Sequence, residues 1–179
     1  MERGNGKMSA QTQDENFEIF FRRYQAQIAG YLWRMTSNEQ VVLDLCQETF
    51  FRAWQHFEQI RNYPHPASWL FRVATNLALQ DFRRRSSPIG AAIPFDGTMD
   101  PAVSDPGQRL AESELVRQTL LALPPKQRAL LVLREVYDVP FEELGAMLEM
   151  SASATRMALS RAREQFRQIY RRKDSGRYA

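Results

Sequence analysis

Apolar residues recur every three or four positions along most of this chain, and prolines, glycines and charges gather between the runs. Phe17, Phe20, Phe21, Tyr24, Ile28, Tyr31, Leu32 and Met35 keep a helical period up to a turn at "TSNEQ". Val41, Val42, Leu45, Phe50, Ala53, Trp54 and Phe57 carry a second amphipathic helix, with Leu45 and Trp54 available for packing. "RNYPHPAS" interrupts the pattern, because closely spaced prolines cannot continue a helix and bias the residues before them to extended shapes. A third helix is predicted from about Ser68, its N-cap, through Trp69, Leu70, Val73, Ala74, Leu77 and Phe82 to "RRRSSP".

Residues 86–109 hold four prolines, three glycines and no convincing period, the mark of a linker. Beyond them "LAESELVRQTLLAL" is helical, "LPPKQRALLVLREVY" opens a helix with proline near its first position, and "DVPFEELGAMLEM" opens another. A last helix has Leu159, Ala162, Phe166 and Ile169 on its apolar side. Strand-like alternation of useful length is missing from the sequence. The fold expected is all-α: an N-terminal helical bundle and a C-terminal helix-turn-helix joined by a flexible linker. The boundaries expected are a disordered start over 1–15, a first domain over 16–85, the linker over 86–109, a second domain over 110–173 and a tail over 174–179.

Composition narrows the chemistry. A 44% hydrophobic content is enough for a core, and a net charge of +3 is by itself a weak argument for nucleic acid. The distribution of charge says more. Glu135 to Glu149 carries five acids and no base, whereas Arg156 to Lys173 carries seven bases and one acid. Cys46 is single, so no internal disulfide forms, and with His56 and His65 it makes no zinc-ligand spacing. Neither a charged leader with an apolar core nor an apolar run of about 18 residues is present, so a cytoplasmic protein without membrane insertion is expected. A glycine-rich phosphate loop and a positioned nucleophile are also missing, so neither enzyme activity nor a cofactor or metal is expected.

"VPFEELGAMLEMSASATRMALSRAR" has a helix-turn-helix layout: Leu144 and Leu148 inward, a turn near Met150 and Ser151, and small Gly145 and Ala146 where two helices cross. On the last helix Arg156, Arg163, Arg167 and Arg171 share a stripe roughly 80° wide, with Ser153 and Ser160 inside it. A cationic stripe beside an apolar one lets a helix rest on polyphosphate while packed on its own domain. Ser153, Arg156, Met157 and Ser160 would reach base edges or thymine methyls; Arg161, Arg163 and Arg167 would lie among the DNA contacts, Arg163 and Arg167 on phosphate. In the first domain "DLCQETFFRAWQHF" sets Asp44, Gln47 and Glu48 on one helix side. "WLFRVATNLALQDFRRR" mixes Trp69, Arg72, Asn76, Gln80, Arg83, Arg84 and Arg85, a combination suited to unpaired bases and their backbone.

Together these residues resemble the extracytoplasmic-function (ECF) class of bacterial RNA polymerase sigma factors, from about Phe17 to Arg172. "DLCQETFFRAW" is similar to that family's core-binding segment, "PASWLFRVATNLALQDFRRR" to its promoter-melting segment, and "LPPKQRALLVLREVYDVPFEELGAMLEMS" followed by "LSRAR" to its promoter-reading helix-turn-helix. The resemblance implies that Asp44, Gln47, Glu48 and Arg52 face core polymerase. It implies that the loop from Ile60 to Ala67, with Asn62, Tyr63 and His65, holds a flipped base of the minus-ten element. The linker would run toward the RNA exit path, with Asp96, Asp100 and Asp105 mimicking nucleic-acid charge. The implied partners are core RNA polymerase, promoter DNA and an anti-sigma factor. Members commonly carry Ser and Arg where this chain has Met157 and Ala158, which implies an altered minus-thirty-five preference. A stand-alone helix-turn-helix regulator is the alternative, and binding to core polymerase separates the two.

Overall fold

The computed structural model describes residues 10–86 and 108–176. Among these, eight helices and no strand are formed, in two helical domains. The first holds α1 (Ala10–Thr36), α2 (Glu39–Gln55), α3 (Phe57–Ile60) and α4 (Pro66–Arg85). The second holds α5 (Gln108–Leu121), α6 (Pro125–Glu135), α7 (Phe141–Met147) and α8 (Ala152–Ser175). Most of the expected linker, with Asp96, Asp100 and Asp105, lies outside the described residues, as do residues 1–9. The first turns of α1 reach into the stretch expected to be frayed.

The turn at "TSNEQ" is made by Ser37, in the left-handed region at φ 47°, and Asn38, whose Oδ1 accepts from the Val41 N–H at 3.0 Å. Two expectations need correction. The second helix stops at Gln55, because His56 leaves helical geometry (φ −111°, ψ 15°), and Phe57 begins the short α3. The apolar period runs through this break, since Ala53, Phe57 and Ile60 are all buried, so periodicity could not reveal it. The third helix begins at Pro66, not Ser68: a proline at the first helical position has no N–H to leave unpaired, so the residue read as a breaker is the starter.

Ala74 and Ala78 on α4 are fully buried, and such small side chains let α4 lie close to α1. The Tyr31 hydroxyl meets Thr75 Oγ1 at 2.7 Å, and Thr75 donates in turn to the Phe71 carbonyl at 2.6 Å. Burial pushes the Tyr31 phenol well above its usual range, so it stays a neutral hydrogen-bonding group. In the second domain α6 is buried on every side from Arg128 to Leu133, because it packs on α8, α7 and α5 and also on α1 and α4 of the first domain. Leu144 and Leu148 point inward as expected. A Cβ on Gly145 would lie 2.9 Å from the Met150 carbonyl oxygen, so the α7–α8 turn requires glycine there.

Candidate nucleic-acid interface

The N-terminus of α8 is fixed by Ser151, whose Oγ accepts from the Ala154 N–H at 3.2 Å. From that cap the helix turns Thr155, Leu159, Ala162 and Ile169 into the core. Ser153, Arg156, Met157, Ser160, Arg161, Arg163 and Arg167 all face solvent. Ala158 turns half inward against the core, and Met157 takes the exposed place beside Arg156. The Arg156 guanidinium lies 5.6 Å from the Phe141 ring centre, a stack that holds it near the start of the helix. Arg163 pairs with Glu135 at 2.6 Å and Arg167 with Glu164 at 3.0 Å. Hydrogen bonds from Gln168 and Arg167 hold the Glu164 carboxyl below its ordinary range. Solvent-exposed pairs of this kind are weak, so neither carboxylate would hold its guanidinium against a DNA phosphate.

On α4, Trp69, Arg72, Asn76, Gln80 and Arg83 fall within a stripe roughly 80° wide. All but Trp69 are exposed; Trp69 is half-buried, with its ring centre 6.1 Å from that of His56. The three consecutive arginines divide. Arg84 and Arg85 both reach the buried Asp81 carboxylate, at 2.8 and 2.7 Å, while Arg83 stays with the stripe and donates to the Leu79 carbonyl. Asn62, Tyr63 and His65 are exposed in the loop before α4, Tyr63 by 45%.

The α2 face is more apolar than expected. Asp44 and Gln47 are exposed, and Glu48 pairs with Arg52 at 2.7 Å. Trp54, read as a packing residue, is 46% exposed, and Leu43 (57%) and Phe51 (53%) join it. Leu45 is half-buried against the core, as its packing assignment requires. Leu43, Trp54, Gln47, Phe51, Asp44 and Glu48 follow one another around roughly 140° of the helix, an alternation of apolar and polar groups. Leu43 and Phe51 went unassigned in the sequence; the available signal was that Phe51 lies opposite buried Val42 and Ala53, with Leu43 about 100° from Val42.

Sigma-70 region 2 matches residues 20–87, from α1 through α4, and Sigma-70 region 4 matches residues 113–166, from α5 into α8. The ECF RNA polymerase sigma-E factor of Haemophilus influenzae is 30% identical over 83% of this chain and 84% of its own length. This chain belongs to the ECF sigma factors. The ECF sigma factor SigG of Mycobacterium tuberculosis is also 30% identical over 92% of this chain, which spans about half (51%) of that longer relative. The fold is that of the sigma factor RpoE of Bartonella quintana, solved in complex with the anti-sigma factor NepR, with a TM-score of 0.73 over 88% of this chain and 98% of that one at 17% identity.

In this sigma factor the acidic stretch before α8 supplies the Arg163 partner, Glu135. Among the described residues no helix is long and apolar enough to cross a membrane. The geometry of α8 gives a test of its two arginine classes. Arg167→Ala should weaken binding about equally on promoter and scrambled DNA and lower the salt slope by roughly one unit. Arg156→Ala should cost roughly 1–3 kcal/mol on the preferred site alone. Titrations of both variants over several salt concentrations separate them, and identical behaviour would remove the division.

Proposed function

We propose that this chain is a dissociable specificity subunit of bacterial RNA polymerase, acting in the cytoplasm, with a region 2-like domain over 16–85 and a region 4-like domain over 110–173. It docks on core polymerase through α2, using Asp44, Gln47, Glu48 and Arg52 together with Leu43, Phe51 and Trp54. The loop residues Asn62, Tyr63 and His65, with Trp69, Arg72, Asn76, Gln80, Arg83, Arg84 and Arg85, take the opened minus-ten strand. Ser153, Arg156, Met157, Ser160, Arg161, Arg163 and Arg167 address the minus-thirty-five duplex. The chain itself makes and breaks no bond; nucleotide addition belongs to the polymerase. An anti-sigma factor is a further partner in this reading, as NepR is for the Bartonella protein.

The observation that carries the reading is the exposed apolar and polar face of α2, on the same chain as two basic nucleic-acid surfaces. Run-off transcription by purified core polymerase on promoter templates from the source genome tests it: specific transcripts should require this chain. Duplex binding without any effect on core transcription would return the protein to the stand-alone class.

Opening has its own test. Tyr63 makes no ring contact among the described residues, so Tyr63→Ala should leave the fold intact and remove a stacking platform worth about 1–3 kcal/mol per base. Permanganate reactivity of promoter thymines should fall while duplex binding stays. Unchanged reactivity would take Tyr63 out of the melting site.

A further inference from the structure

Of the described methionines, Met35 and Met147 are buried and Met150 packs against the core, whereas Met157 is 55% exposed. Among the described residues of α8 it is the one large apolar side chain left in solvent. Its neighbours three and four positions away, the residues that touch it on a helix surface, are Ser153, Ala154, Ser160 and Arg161. Ser153, Ser160 and Arg161 are exposed and Ala154 is half-buried. A docking surface for another protein is a contiguous apolar patch, and none surrounds Met157.

The helix holds this thioether in a fixed place. Buried Thr155 and Leu159 seat α8 in the core on either side of it, and the Arg156 guanidinium before it is stacked 5.6 Å from the Phe141 ring centre. Met157 then stands about 40° from Ser153 and about 60° from Ser160 around the helix, on the early turns where base edges are within reach. Its neighbours there carry hydrogen-bonding groups that match the donors and acceptors of bases. A thioether donates nothing and accepts weakly, so pressed against a polar base atom it would leave that atom unpaired at a cost. The major groove offers it one apolar group, the C5-methyl of thymine. Against a methyl group the flexible, polarisable methionine side chain makes close contact, and both leave water.

We propose that Met157 is a methyl reader: at one position of its duplex site the chain takes a pyrimidine bearing a C5-methyl group, thymine or 5-methylcytosine, and disfavours uracil and unmethylated cytosine. The inference rests on the reading of α8 as the duplex-facing helix and commits one of its side chains to one chemical group. Hydrogen bonding cannot make this distinction. An A·U pair carries the same donors and acceptors as A·T, and 5-methylcytosine the same as cytosine, so a response to either exchange is a response to the methyl group alone.

The full chain selects bound sequences from a random-sequence duplex pool, and each thymine of the selected site is then replaced singly by uracil. One replacement should lower affinity roughly three- to tenfold, the worth of burying one methyl group with its contacts. Met157→Ala should bind the thymine and uracil duplexes equally, whereas Met157→Leu, still apolar, should keep the preference. With cytosine at that position, added 5-methylation should tighten binding of the parent by the same factor and leave Met157→Ala unmoved. Because the side chain is exposed and alanine favours a helix, circular dichroism and melting temperature should match the parent's. Uracil tolerated at every thymine of the selected site, or a Met157→Ala chain as sensitive to uracil as the parent, would overturn the assignment and leave α8 as the duplex reader. Enrichment of no sequence at all would remove both. None of these readouts uses core polymerase, so failure here and failure of run-off transcription are told apart.

Discussion

Affinity for core RNA polymerase is expected to fall about a thousandfold when Phe51 and Trp54 are both replaced by serine, because two aromatic anchors of about 2 kcal/mol each amount to that factor. Both rings are half in solvent in the free chain, turned about 100° or more from buried Val42 and Ala53. An exposed position contributes within about 0.5 kcal/mol to folding, so the melting temperature should hardly move. Gln47 lies between the rings and Asp44 just beyond Phe51, and both are expected to set orientation rather than affinity. Glu48→Ala should have a far smaller effect, since its pair with Arg52 is about two-fifths exposed on both sides. Fluorescence titration of labelled chain with core polymerase reads all of this. Retention of parental affinity by the double variant would show that core polymerase docks elsewhere.

That face illustrates where the sequence could and could not be read. The seam of Leu159, Ala162 and Ile169, the inward Leu144 and Leu148 and the tight Gly145 follow from local spacing, because a helix-turn-helix is assembled within a short stretch of chain. Trp54 was misread for the opposite reason: a large aromatic inside an amphipathic helix looks like core until its phase against Val42 and Ala53 is compared. Pro66 was misread because a proline marks a helix start as readily as a break, and only the backbone decides. The junction of Arg128 and Tyr137 with Phe71 and Met35 had no local signature at all, since its partners lie tens of residues away. One trace of it was present. The uninterrupted run Ala129–Leu133 is too apolar for a helix buried on a single side, and it packs on both domains.

Gly145→Ala is expected to destabilise the second domain by about 1–3 kcal/mol, the usual range for forcing a methyl group into a closed contact. The added Cβ would meet the Met150 carbonyl oxygen at 2.9 Å and Thr155 Oγ1 at 3.2 Å. Neither can swing aside. The Met150 N–H donates back to the Gly145 carbonyl at 2.8 Å, and Thr155 Oγ1 is held by the Ser151 carbonyl at 2.9 Å, so relief requires the angle between α7 and α8 to open. Opening would move Arg156 off the Phe141 ring and turn the basic stripe out of register with a duplex groove. Gly145→Val, with two further carbons in the same place, should abolish duplex binding. Core affinity should survive in both variants, because α2 belongs to the other domain. Gly30→Ala is the internal comparison: its Cβ meets only the ends of two flexible side chains, Tyr137 and Arg34, and should cost little stability. Thermal unfolding of the full chain, beside duplex and core titrations, measures each part. A melting temperature for Gly145→Ala within about 1 °C of the parent, where about 1 kcal/mol corresponds to 2–4 °C in a chain of this size, would mean that the turn has room the contact distances deny.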